Sequence, residues 1–257
     1  MKVTVLAENT VCREDVTAQH GLSLYMETED QRILFDMGQD DTFLHNAEAL
    51  GIDLSKADIA VISHGHYDHG GGLSEFLRIN RNAPVYIHET AFGAYYNGME
   101  KYIGLDISLC DTPRLIFIKG KTQLMPGIML ADCNDLGWCS NSWGLMCREG
   151  EAFFPDRFSH EQYLEVTEGN KRILISGCSH KGIVNIAAHF QPDVLIGGFH
   201  LSKQEDTTQL EAITAKLLQG NTVYYTGHCT GNRQYAWLKE RMGDRLQSLS
   251  TGMVFEV

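Results

Sequence analysis

Short apolar runs recur along the chain and predict ten β-strands. Each run is six or seven residues long, as is typical of strands, and many contain the β-branched residues that favour extended backbone. In the earliest runs apolar and polar residues alternate, which predicts antiparallel strands with one exposed face. The runs lie at 2–8, 23–28, 32–37, 57–63, 84–89, 114–119, 162–167, 172–177, 193–198 and 222–227.

Apolar residues spaced three or four apart predict helices between the runs. Ile183, Ile186 and Phe190 show this spacing, which places them on one face of a helix. The predicted helices lie at about 42–50, 183–190, 210–217 and 235–242. Because strands and helices alternate in the second half, the pattern indicates an α/β sandwich of mixed sheets.

One stretch, 91–113, has no clear period and is rich in aromatic residues and glycine. We interpret it as an insertion or lid. No linker divides the chain, whose 257 residues are 43% hydrophobic and suffice for a sizeable core. We therefore expect a single domain spanning 1–257.

Composition excludes several classes of partner. The net charge is −12 and the basic residues are scattered, so we expect no nucleic acid partner. No run of 18 apolar residues predicts a membrane span. The seven cysteines form an odd set without a C-x-x-C pair, which favours free thiols in a cytoplasmic protein. The expected partner is a small-molecule substrate.

The sequence "HGHYDHGGGL" concentrates metal-binding side chains in one loop. His64, His66, Asp68 and His69 follow a predicted strand and precede three glycines. Imidazole and carboxylate groups are the ligands that zinc, iron(II) and manganese bind in proteins. The loop predicts a site with two divalent transition-metal ions, zinc first and iron or manganese as alternatives, because its donors divide between two positions.

Further histidines follow other predicted strands. His180, His200 and His228 come directly after the runs at 172–177, 193–198 and 222–227. Ligands of open α/β sheets bind beyond the carboxyl ends of the strands, so we expect these side chains to converge.

These motifs resemble those of the metallo-β-lactamase superfamily. "HGHYDH" resembles its H-x-H-x-D-H signature, and Asp36 in "ILFDMG" resembles its early strand-end aspartate. "LISGCSH" and "YYTGHCTG" resemble its later ligand motifs. The resemblance implies an αββα sandwich, four layers with two mixed sheets inside and helices outside, and metals at one sheet edge.

Other segments resemble one branch of this superfamily. "ENT" at 8–10, "HGLSLYME" at 20–27, "SGCSHKGIVNI" at 176–186 and "TGHCTG" at 226–231 are similar to relatives of 7,8-dihydropterin-6-methyl-4-(β-D-ribofuranosyl)aminobenzene-5′-phosphate synthase. This resemblance bears on fold and metals more than on substrate.

The resemblance also implies roles for individual residues. The implied metal ligands are His64 and His66 with His180 for the first ion, Asp68, His69 and His228 for the second, and Cys178 as a bridge. Many members have an aspartate where Cys178 stands. Cys178 itself, and His160, which lies roughly where the superfamily has its third histidine, are the alternatives to His180 as the last ligand of the first ion. We favour His180.

Catalysis is expected to depend on Asp68 and His180. Glu161, Lys181 and His200 are the candidates for contact with substrate. Their alternative interpretation is as ordinary surface or sheet-edge residues, since charged side chains beside loops are commonly solvated.

The leading hypothesis is a hydrolase in which two metals activate a bridging water against an ester, phosphoester or related bond. A second hypothesis is a synthase that condenses a dihydropterin with a ribofuranosylaminobenzene phosphate and releases pyrophosphate. A third is a non-hydrolytic diiron sensor or redox protein on the same scaffold.

Overall fold

The computed structural model describes residues 1–138 and 143–257, and each of the ten predicted runs overlaps a strand. The strands are β1 (Lys2–Ala7), β2 (Ser23–Glu27), β3 (Arg32–Phe35), β4 (Ile59–Val61), β5 (Val85–His88), β6 (Tyr95–Asn97), β7 (Lys101–Tyr102), β8 (Leu115–Ile118), β9 (Lys121–Met125), β10 (Ile128–Ala131), β11 (Leu145–Glu149), β12 (Ala152–Pro155), β13 (Tyr163–Glu168), β14 (Lys171–Ile175), β15 (Val194–Ile196), β16 (Val223–Thr226), β17 (Leu246–Ser248) and β18 (Val254–Glu256).

The predicted helices are also present. The helices are α1 (Thr42–Ala49), α2 (Tyr67–Gly70), α3 (Leu73–Ile79), α4 (Ile183–Phe190), α5 (Thr207–Leu217) and α6 (Asn232–Met242). None of these described helices combines the length and apolar character that crossing a membrane requires.

Two large sheets form the centre of the molecule. Over the described residues, each has seven strands, in the orders β18-β1-β2-β3-β4-β5-β8 and β17-β16-β15-β14-β13-β10-β9. Side chains such as Val5 and Phe35 from the first sheet pack against Leu164 and Ile175 from the second. Apolar burial between the sheets thus supplies the central core.

Helices cover the outer faces of both sheets. Phe43 of α1 and Phe76 of α3 pack on the first sheet, whereas Ile186 of α4, Leu210 of α5 and Leu238 of α6 pack on the second. The layers are therefore helix, sheet, sheet and helix, as the resemblance implied.

The antiparallel pairing of β1, β2 and β3 is confirmed, but the expectation that one face is exposed is wrong. Thr4 and Ser23, the polar residues of the alternation, are buried together with their apolar neighbours. Along β1, β2 and β3 one face of the sheet meets the second sheet and the other meets helices, so most of their side chains are buried on both faces.

The stretch 91–113 contributes β6 and β7 to a small third sheet. Its order is β12-β11-β6-β7 over the described residues. Tyr95, Ile103, Leu145 and Phe158 form a small core beneath it. This sheet lies beside the loops that follow β4 and β14.

Candidate metal centre

The H-G-H-Y-D-H motif runs from the end of β4 into the short helix α2. Gly65 lies where the loop passes Ala91, and a Cβ atom there would collide with the Ala91 carbonyl oxygen and the Tyr95 ring. Glycine is therefore required between His64 and His66, both of which are buried.

One group of donors consists of His69, His228 and Cys178, all of them buried. The Nε2 atoms of His69 and His228 are 3.2 Å apart. Cys178 Sγ lies 3.1 Å from His69 Nε2. These three residues come from α2, the loop after β16 and the loop after β14, so the ends of strands distant in sequence converge as predicted.

Hydrogen bonds fix the tautomers of both rings in this group. Asp36 Oδ2 accepts from His69 Nδ1 at 2.6 Å. Asn9 Oδ1 accepts from His228 Nδ1 at 3.1 Å. Because each Nδ1 carries a proton, the Nε2 atoms of the neutral rings present lone pairs to each other. Two lone pairs at this distance repel unless a proton or a metal ion lies between them.

A second group consists of His64, His180 and Cys178. The Nε2 atoms of the two histidines are 3.3 Å apart. Ser63 Oγ donates to Asp36 Oδ2 at 2.7 Å and therefore accepts from His64 Nδ1 at 2.8 Å. The lone pair of His64 Nε2 thus faces His180. Cys178 belongs to both groups and is the side chain that connects them.

Asp68 lies at the edge of the first group. Its Oδ2 is 3.4 Å from His228 Nε2 and 4.0 Å from His69 Nε2. The exposed ring of His20 approaches the same carboxylate, with Nε2 3.3 Å from Oδ2. His20, Asp68 and His228 form a further set with metal-ligand spacing.

His66 belongs to a separate buried group with Asp156 and His160. His66 Nε2 is 3.9 Å from Asp156 Oδ2. His160 Nε2 is 3.1 Å from the same oxygen, and His160 Nδ1 accepts from Gly65 N at 2.9 Å. The structure therefore brings His180, rather than His160, to the group that holds His64.

Two of the three predicted substrate residues are turned away from this centre. Glu161 is fully buried, and its carboxylate accepts from the backbone N–H groups of His180 and Lys181 at 2.7 and 3.0 Å. Lys181 Nζ donates to the carbonyl oxygens of Asp132 and Glu161. Both side chains hold the His180 loop from behind. Only the third, His200, is brought to the cavity beside the histidines.

A cavity of about 430 Å³ opens over the two groups. His180, His200 and His228 line its floor, and Lys101 and Lys203 lie at its edge. Lys101 belongs to β7, so the stretch 91–113 supplies part of the wall. The cavity combines metal-binding donors with basic side chains that attract an anionic ligand.

The charge environment favours cations at these positions. Burial lowers the pKa of His69, but the negative charges of Asp36 and Asp68 outweigh this effect and raise the pKa to about 9. Burial lowers the pKa of His66 to about 3, so its ring stays neutral. Burial also raises the pKa of the Cys178 thiol, and its thiolate form requires a positive charge nearby.

Sequence reasoning missed several residues of this centre. Asn9 and His20 lie within segments that the branch resemblance singled out, but no residue-level signal assigned them a role. Asp156 stands four residues before His160, and this spacing was the available signal. Six of the seven cysteines lie in the described ranges and are free thiols, whereas Cys139 lies outside the described residues.

Comparisons of the sequence find related proteins. The sequence model of the metallo-beta-lactamase superfamily matches residues 16–133. The whole chain is 28% identical to 7,8-dihydropterin-6-methyl-4-(beta-D-ribofuranosyl)-aminobenzene-5′-phosphate synthase of Methanocaldococcus jannaschii, in an alignment that covers 96% of that protein.

Solved structures share the fold. Tm1679, a metal-dependent hydrolase of the beta-lactamase superfamily, is 30% identical with a TM-score of 0.86, and the match covers 100% of this chain and 99% of that one. Zinc-bound PqqB from Methylobacterium extorquens is 11% identical with a TM-score of 0.59, covering 100% of both chains, and shows similarity of fold alone.

Proposed function

Because the chain belongs to the metallo-β-lactamase superfamily, we propose that it is a metal-dependent hydrolase that cleaves an ester, phosphoester or related bond of a small molecule. The observation that carries the proposal is the convergence of buried imidazoles, with pairs of Nε2 atoms 3.2 and 3.3 Å apart, around Cys178, whose sulfur belongs to both groups. Such contacts are expected where cations bind.

The donor chemistry fits two divalent ions, zinc first and iron or manganese as alternatives. In this proposal the first ion is held by His64, His66 and His180, and the second by Asp68, His69 and His228, with Cys178 between them. When bound, such ions lower the pKa of a water molecule toward about 7 and polarise the bond that is cleaved.

The chain's own residues orient these ligands and the substrate. Asp36 fixes the ring of His69, and Asn9 fixes that of His228. Partners of this kind set the tautomer that exposes Nε2 to the ion. Lys101 and Lys203 lie where a phosphate or carboxylate of the substrate would be neutralised.

The test combines metal analysis with turnover. The chain is stripped with a chelator, reloaded separately with zinc, iron(II) or manganese, and assayed on a panel of phosphoesters, carboxylate esters and lactones. We expect about two ions per chain and metal-dependent hydrolysis. The variant Asp68→Ala should lose one ion and turnover, while the exposed control Asp30→Ala should retain both. Absence of a stoichiometric metal after reloading would refute the proposal.

A second function is supported by the archaeal relative, which is named as a synthase and matches the whole chain. In the condensation proposed here, the amine of a ribofuranosylaminobenzene phosphate displaces pyrophosphate from a dihydropterin methyl diphosphate, so a carbon–nitrogen bond forms as a carbon–oxygen bond breaks. The direct test is pyrophosphate release from a dihydropterin diphosphate that depends on the aminobenzene compound. Hydrolysis of the phosphoesters, carboxylate esters or lactones of the panel, without release of pyrophosphate, would favour the hydrolase.

A further inference from the structure

The surroundings of His66 differ from those of the other histidines in the motif. Its side chain is 5% exposed, and within the described part of the chain its Nε2 atom has no hydrogen-bond partner. A buried ring nitrogen without a partner carries a desolvation cost that a bound cation removes. The nearest carboxylate oxygen is Asp156 Oδ2, at 3.9 Å.

The Asp156 carboxylate is buried and only partly used by protein donors. Its Oδ1 accepts from the backbone N–H of Phe158 at 2.7 Å, and its Oδ2 accepts from His160 Nε2 at 3.1 Å. An ionised carboxylate offers about four lone-pair sites, so it retains acceptor capacity beyond these two bonds. The side chain is 3% exposed, which shields it from bulk water.

His160 is fixed in one tautomer by the metal-binding loop itself. The backbone N–H of Gly65 can only donate, so His160 Nδ1 accepts this bond and carries no proton. The neutral ring then carries its proton on Nε2, which points at Asp156. His160 therefore presents a donor to Asp156 rather than a lone pair to a metal.

We propose that Asp156 is a metal ligand whose carboxylate binds a divalent cation together with His66 Nε2, and that His160 is the positioning residue that holds this carboxylate. The inference rests on the proposed metal centre and adds to it an oxygen ligand from the loop after β12. In this inference His160 does not bind the metal and instead orients the Asp156 carboxylate through a hydrogen bond.

The chain contains a matched control for this arrangement. Asp132 is also a buried carboxylate that accepts from a histidine, His88 Nε2, at 3.0 Å. It is not part of the groups with metal-ligand spacing found in the described ranges. Asp132→Asn therefore removes the same chemical group and the same kind of bond without touching His66.

The experiment titrates the chelator-stripped chain with Co²⁺ and follows both the heat and the visible absorption, which reports the ligand set. Asp156→Asn should lower the affinity for the ion bound by His66 by about 100-fold or more and change the absorption spectrum of that ion. Asp132→Asn should bind both ions with the affinities and spectra of the wild type. His160→Ala should lower the affinity for the same ion about 10–100-fold. His160→Gln should restore this affinity, because the glutamine amide can accept a hydrogen bond from Gly65 N–H and donate one to Asp156.

Two ions with wild-type affinity and spectrum in Asp156→Asn would overturn the inference, and so would equal losses in Asp132→Asn. If Asp156→Asn fails to fold by circular dichroism, Asp156→Glu replaces it. That variant should keep both ions with a changed spectrum, and an unchanged spectrum would contradict the assignment. A wild type that binds no cation would instead refute the proposed function.

Discussion

His69 and His228 face each other through their Nε2 atoms at 3.2 Å, and each ring is held in that orientation by an acceptor on its Nδ1 side. The acceptor for His69 is a charged carboxylate, whereas the acceptor for His228 is the neutral amide of Asn9. The position between the two Nε2 atoms therefore suits either a proton or a cation, and the two compete for it.

This competition predicts how metal binding depends on pH. Because the pKa of His69 is raised to about 9, the protonated ring dominates below that pH and an ion must displace its proton. The apparent affinity for the second ion should therefore fall about tenfold for each pH unit between 8 and 6. Zinc titration calorimetry in buffers of different ionisation enthalpy measures the proton released. Affinity independent of pH would contradict this assignment.

Asn9 is predicted to act on the metal through His228. In Asn9→Ala the ring loses the acceptor on Nδ1, so its tautomer and orientation are no longer fixed. We expect about 10–100-fold weaker binding of one ion, measured by competition with a chromophoric chelator. Asn232 lines the same cavity, and Asn232→Ala should leave the affinity unchanged. Equal effects in both variants would indicate a general change in the cavity.

Cys178 is predicted to affect both ions, because its sulfur lies in both groups of donors. Cys178→Asp should keep two ions, since a carboxylate can bind both, whereas Cys178→Ala should weaken both. In Co²⁺-loaded protein the thiolate charge-transfer band in the near ultraviolet should vanish in either variant. The buried control Cys133→Ser should retain the band. Cys229 lies at metal-ligand spacing with Cys178 and His200, so a band that persists in Cys178→Ala but vanishes in Cys229→Ala would exclude Cys178 as the source of the band.

Much of the fold was predictable because the central strands of the two large sheets are buried on both faces. Runs such as 172–177 and 193–198 are short and centre on three consecutive apolar residues, a signal that can be read without knowing which strands lie beside them. The strands of the small sheet were missed because it is partly exposed, and β9, β10, β17 and β18 of the large sheets were missed as well. Which residues of the small sheet are apolar depends on local contacts, such as the packing of Tyr95 and Leu145 against Phe158.

Most histidines of the site were predictable because they follow buried strands, whereas His20 directly follows none and was missed. The roles of Glu161 and Lys181 were not, since the sequence does not reveal on which side of a loop a side chain lies. Asp156 was missed for a related reason. Its contact with His66 bridges 90 residues of chain and depends on how the small sheet packs beside the loop after β4.

Gly65 is predicted to be intolerant of a side chain. In Gly65→Ala the new Cβ would overlap the Ala91 carbonyl oxygen, so the loop or its neighbour must shift. We expect a loss of about 1–3 kcal/mol in the free energy of unfolding, measured by urea denaturation, together with weaker metal binding. Gly220→Ala is the control, because its nearest atom is Thr222 Oγ1 at 3.8 Å. A neutral effect at Gly65 would show that the loop is not constrained there.

Asp132 is predicted to stabilise the fold in a pH-dependent way. Burial raises the pKa of its carboxyl, but hydrogen bonds from His88 and from the backbone N–H groups of Asn134 and Gly120 outweigh this and hold the pKa well below its usual value. A lowered pKa in the folded state gives stability that is present above about pH 4 and is lost as the pH falls further.

Replacing this carboxylate should therefore matter at neutral pH and less in acid. Asp132→Asn leaves the buried donors with a poorer acceptor, and we expect a loss of about 1–3 kcal/mol at pH 7, measured by urea denaturation. The difference from the wild type should shrink at pH 3, because the wild-type stability itself falls as the unfolded carboxyl takes up a proton. A difference that stays constant from pH 7 to pH 3 would show that the cost arises from packing rather than from charge.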